Sequence, residues 1–134
     1  MRKKLTKVIV LLIAVAICLV SIAGCKPKPV QLTDTDNGKD ISLKVGDRLV
    51  ITLPGNPSTG YSWEVNTVDV AVLSQVGDPQ FVSDNTGLVG AGGKLALTFD
   101  AEKGGITSLV LVYHRPWETD VAPLQTFKIQ VTVK

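Results

Sequence analysis

A chain of 134 residues has room for one domain of ordinary size, and its 14 basic and 12 acidic side chains nearly cancel. Four of the basic residues (Arg2, Lys3, Lys4 and Lys7) precede an apolar run, so the remainder is slightly acidic, with no Lys/Arg cluster to point to nucleic acid. The two cysteines, Cys18 and Cys25, both lie near the amino terminus, which leaves the rest of the chain without a disulfide, a thiol nucleophile or a cysteine metal site.

In chain order, the first element is not part of a fold. A basic head, the unbroken apolar run Val8 to Val20, and the small residues of SIAGC make residues 1–24 a secretory signal peptide. The run is short for a membrane span, which needs ~20 residues. Ile22-Ala23-Gly24-Cys25 resembles the bacterial lipobox. That resemblance implies cleavage before Cys25, with lipid on its sulfur and on the new amino group. The expectation is an exported protein, lipid-anchored on the extracytoplasmic side of the bacterial envelope and touching membrane only through Cys25. Plain secretion or an uncleaved anchor are the other readings of the same segment.

Residues 25–40 follow, rich in Pro, Thr and Asp and without apolar period, and predict an extended tether. From residue 41 to 134 the period is two. Ile41, Leu43 and Val45 alternate with polar residues; Leu49, Ile51 and Leu53 follow across a Gly46-Asp47 turn. Tyr61, Trp63 and Val65 make a third strand, and Val70 to Ser74 a fourth. Residues Gln75 to Val89 give no clear strand edges. Leu95, Leu97 and Phe99 share one face, as do Leu109, Leu111 and Tyr113. Phe127, Ile129, Val131 and Val133 alternate strictly with polar neighbours. About seven short strands with Gly/Pro turns and no helical period predict an all-β, immunoglobulin-like antiparallel sandwich.

If each strand crosses the sandwich, its connections alternate between two ends. Gly46-Asp47, Asn66 to Asp69 and Asp100 to Gly105 fall at one end as ordinary polar turns. Pro54 to Gly60, the stretch ending in Gly90-Ala91-Gly92-Gly93, and Arg115 to Pro123 fall at the other. Clustered loops on a rigid scaffold are where binding function tends to sit. In the first loop, Asn56-Pro57-Ser58-Thr59-Gly60-Tyr61, Pro57 fixes its own φ and restrains Asn56, and Gly60 permits φ > 0. Taken alone it could be no more than a stiff turn. The glycines of the second loop precede a strand, unlike a phosphate-binding loop, which opens a helix. They fit a bulge, a tight loop, or a backbone laid close to a partner. Arg115-Pro116-Trp117 places a planar cation and a large aromatic in a stiffened loop, residue types enriched at interface hot spots. Trp117 could equally fold back over the core.

In order and spacing, N-P-S-T-G-Y, G-A-G-G and R-P-W resemble the motifs of the chagasin-type inhibitors of papain-like cysteine proteases, over residues 41–134. The resemblance implies a monomeric wedge of three loops entering the protease cleft, with no cofactor. Asn56 to Gly60 would cover the catalytic centre, and Gly90 to Gly93 and Arg115 to Trp117 would flank it. Ser58 stands where family members often have Thr, keeping the hydroxyl and losing a methyl. A surface adhesion or recognition module using the same loops is the alternative from another class. An enzyme is disfavoured: His114 is the only histidine, on the strand face opposite Tyr113, and Ser58 has no identifiable base.

Overall fold

A computed structural model describes residues 28–84 and 92–134. Two sheets face one another. The first joins β1 (Val30–Thr33), β3 (Arg48–Gly55) and β7 (Gly93–Ala101), with β5 (Leu73–Gln75) and β6 (Gln80–Ser83) both on the far side of β7. The second runs β2 (Asp40–Leu43), β9 (Gln125–Val133), β8 (Gly105–His114), β4 (Ser62–Thr67). The sandwich is the expected one. Its described part has nine strands rather than about seven, and its sheets are mixed: β1 pairs with β3, and β2 with β9, in parallel.

Period-two alternation builds the core directly. Leu49, Ile51 and Leu53 of β3 and Leu95, Leu97 and Phe99 of β7 meet Leu109, Leu111 and Tyr113 of β8 and the Phe127, Ile129, Val131, Val133 row of β9. All of these are buried, and burying each side chain of this size stabilises by ~1.5–3 kcal/mol. Thr, Lys and Gln at the intervening positions of β3 and β9 stay at or near the surface, which fixes the register: a one-residue slip would turn the whole row outward.

Several local expectations are corrected. Residues expected as tether join the domain from Val30 onward. Leu32 is buried in the core while β1 pairs with β3 through Val30–Thr33. The next residues are tied down as well: Gly38 N–H donates to Lys128 O at 2.7 Å, and Asn37 Oδ1 accepts from Lys128 N–H at 2.8 Å. Two apolar residues are too few to register as a period, yet backbone pairing along a neighbouring strand needs no period. Val45 lies beyond β2 and is exposed, because the chain there turns through Gly46. The fourth expected strand is shorter and later: Asp69 to Val72 forms a turn, and the strand is Leu73–Gln75.

The two ends of the sandwich separate as strand counting predicts. Arg48 is opposite Asp100 and Gly105 opposite Val133 at one end. Gly55 is opposite Gly93, Ser62 opposite His114 and Tyr113 opposite Gln125 at the other. The connections after β3 and β8 and the entry to β7 therefore share one end.

Candidate functional site

The first loop is fixed from within. Pro57–Thr59 form a single 3₁₀ turn with Asn56 as its N-cap. Asn56 Oδ1 accepts from the Ser58 N–H at 3.1 Å and from Ser58 Oγ at 2.6 Å, and Thr59 Oγ1 donates to Asn56 O at 2.7 Å. These bonds use Ser58 and Thr59 hydroxyls to close the turn on itself, the usual office of small polar side chains in such places. Gly60 ends the turn at φ 81°, ψ −4°, the left-handed region that favours glycine. Pro57, Ser58 and Thr59 stand exposed at the tip.

The loop is also gripped from below. Trp63 Nε1 donates to Pro54 O at 2.9 Å, and the Asn56 N–H donates to the Tyr113 hydroxyl at 3.0 Å. Tyr113 is sandwiched in an aromatic column, its ring centroid 5.3 Å from Tyr61 and 5.2 Å from Trp63. The column continues upward: the Arg115 guanidinium carbon lies 4.5 Å above the Tyr61 ring. Arg115 Nε then donates to Thr59 O at 3.1 Å and Nη1 to Glu118 Oε1 at 3.3 Å.

Thus the first and third loops form one body. Trp117 confirms this from its other side. The indole is 66% exposed, which rules out the core reading, yet its six-membered ring lies against Gly60, where an added Cβ would overlap Cη2. Pro116 is exposed beside it.

The second loop is described only at its ends. Gly90 and Ala91 lie outside the described residues, as does Cys25. Gly92 is exposed with open space where a side chain would be. Gly93 is different: it is buried in β7, and a Cβ there would meet the Phe81 ring at 2.6 Å and Val82 O at 2.5 Å. Its missing side chain makes room for β6 within the domain itself.

His114 Nε2 lies 2.9 Å from Glu64 Oε2 on the opposite face of β8 from Tyr113, and the Ser58 hydroxyl is engaged by Asn56. The two are not in contact with one another in any nucleophile–base arrangement the structure shows. Residues that the sequence reading missed are Trp63, Tyr113 and Glu118. The two aromatics were absorbed into the apolar alternation of β4 and β8. Their position at the loop-facing ends of those strands, each with a polar tip that wants a partner, was the available signal.

An immunoglobulin-like sandwich carries an exposed, internally braced tip at one end. Comparison with known proteins places it further. Residues 42–131 match the family model described as chagasin family peptidase inhibitor I42, and the chain belongs to that family. It is 35% identical over 106 residues to amoebiasin-1 of Entamoeba histolytica, covering 78% of this chain and 99% of that one. It is 33% identical over 91 residues to chagasin of Trypanosoma cruzi, covering 65% of this chain and 82% of the relative. Among solved structures, the cysteine protease inhibitor EhICP2 of Entamoeba histolytica superimposes with a TM-score of 0.69 at 26% identity, over 78% of this chain and 95% of that one.

Proposed function

We propose that this protein inhibits papain-like cysteine proteases reversibly and competitively, with its loop end as a wedge in the active-site cleft. Family membership supports the inhibitory activity. One observation carries the wedge: Arg115 and Trp117 brace the Asn56–Gly60 turn, so that a narrow tip of Pro57, Ser58 and Thr59 stands exposed on a rigid base. A tip already held in one shape loses little conformational freedom on entering a cleft, the general route to tight protease inhibition. In this reading Asn56 to Gly60 cover the catalytic centre. The exposed Trp117 flanks them on one side, and the exposed Gly92, at the entry to β7, flanks them on the other. No thiol is available in the domain for a covalent trap, so occlusion is non-covalent.

The test is titration of papain and trypsin with the purified domain. Competitive, reversible inhibition of papain in the nanomolar range and none of trypsin is expected. Equal inhibition of both, or steady cleavage after Ser58, would refute the wedge, and failure to inhibit papain would favour the adhesion module instead.

The same proposal includes an envelope anchor at Cys25, supported by the lipobox-like Ile22-Ala23-Gly24-Cys25. Cys25→Ala should remove the protein from the detergent-soluble membrane fraction. Unchanged fractionation with an uncleaved amino terminus would refute lipidation.

A further inference from the structure

We propose that Arg115 and Tyr113 are positioning residues, holding the first loop in its protease-competent shape before any protease is met. The proposal rests on the inhibitory reading above and assigns Arg115 a role different from that of a contact residue. The guanidinium's interactions with the domain point inward: to Thr59 O at 3.1 Å, to Glu118 at 3.3 Å and onto the Tyr61 ring at 4.5 Å. Glu118 fixes one edge of the plane, Tyr61 fixes its face, and the Nε–H is left aimed at the carbonyl just before Gly60. A planar cation meets that geometry and a point charge does not.

Tyr113 performs the matching task at the other end of the turn. It is buried, and its hydroxyl accepts the backbone N–H of Asn56, the residue whose side chain caps the turn. Between them the two side chains hold residues 56 and 59, the first and last bonds of the tip. Glu118 N–H donates to Arg115 O at 3.0 Å and Leu124 N–H to Tyr113 O at 2.8 Å, so both holders are themselves pinned by the third loop. Loss of either leaves the tip populating other shapes. The apparent affinity then falls by the fraction of molecules still competent. That penalty appears mainly in the association rate, because a protease that has captured the correct shape holds it. Removing a direct contact would instead speed dissociation.

The experiment uses the protein purified in detergent, with Tyr113→Phe, Arg115→Ala and Arg115→Lys, measured against papain by stopped-flow kinetics and observed without protease by NMR. Tyr113→Phe keeps the ring and removes one hydrogen bond; its association rate should fall about fivefold. Arg115→Ala and Arg115→Lys should both fall roughly tenfold, with dissociation nearly unchanged. The spectroscopic readout is Gly60, one of whose α-protons points at the Trp117 indole, so its two α-proton shifts should stand apart. They should converge in both Arg115 variants. Faster dissociation at an unchanged association rate, or full activity of Arg115→Lys, would overturn the assignment. So would an unaltered Gly60 signal in Arg115→Ala, a result that stands whether or not the wild-type protein inhibits papain. Absence of wild-type inhibition would count against the inhibitor reading alone.

Discussion

Adding a single methyl group at Gly60 should damage the loop through two separable effects. The first is local. Gly60 has φ 81°, and an L-residue in the left-handed region costs ~1–2 kcal/mol. Ala recovers ~0.4–1 kcal/mol by restricting the unfolded chain, so the net loss of stability should be about 1 kcal/mol, a fall of roughly 4–8 °C in Tm for a domain of this size. The second effect is contact. The new Cβ would overlap Trp117 Cη2 and lie 3.1 Å from Cζ2. Because the indole is mostly exposed it can swing away at little cost to folding, but it then leaves the place where it flanks the tip. The assay is a double-mutant cycle of Gly60→Ala and Trp117→Ala, read as affinity for papain and as urea midpoint. In the Trp117→Ala background the methyl has nothing to displace, so affinities should be non-additive by ~0.5–3 kcal/mol while the φ cost to stability remains. Additive affinities, agreeing within ~0.5 kcal/mol, would show that Gly60 and the indole do not touch. A stabilised Gly60→Ala would refute the left-handed backbone.

Trp117→Ala alone should weaken papain inhibition by ~2 kcal/mol or more, about thirtyfold, with the urea midpoint nearly unchanged because the indole is exposed; a large drop in midpoint would make it structural. Gly93→Ala should destabilise by ~1–3 kcal/mol through collision with Phe81 and Val82, measured by urea unfolding, and a neutral result would mean β6 does not pack there. At the opposite end, Arg48 makes two bonds to Asp100, at 2.7 and 2.8 Å, and holds its carboxyl below the ordinary carboxylate range chiefly by hydrogen bonding. A lowered folded value means the pair's contribution is present above the ordinary carboxylate pKa and is lost as pH falls through the lowered one. Wild type should therefore exceed Asp100→Asn in urea midpoint at pH 7, modestly and less so in high salt. The gap should close in strong acid, and a gap that widened there would reverse the sign of the argument.

Alternation alone determined the sandwich, because a buried strand must turn every second side chain inward and the rows at Leu49, Leu95, Leu109 and Phe127 do so without exception. It also placed the first and third loops and the entry to β7 at one end, since strands that cross a sandwich leave their connections no other choice. The shape of the NPSTG turn was legible too: proline and glycine restrict or release φ whatever surrounds them, and Gly60 is left-handed as its position implied.

Three things were decided only in three dimensions. β1 forms because β3 offers a free edge, a property of the sheet and not of Val30-Gln31-Leu32-Thr33. Gly93 is a packing requirement set by Phe81, twelve residues earlier in the chain, which reaches it only because β6 lies against β7. And the motif residues carry different tasks that their names do not reveal. Arg115 turns inward to Thr59 and Tyr61, while Trp117, two residues on, presents its indole to solvent. Residue type states what a side chain can bond. Which partner it meets depends on strand register and loop closure, and these exist only once the two sheets have packed.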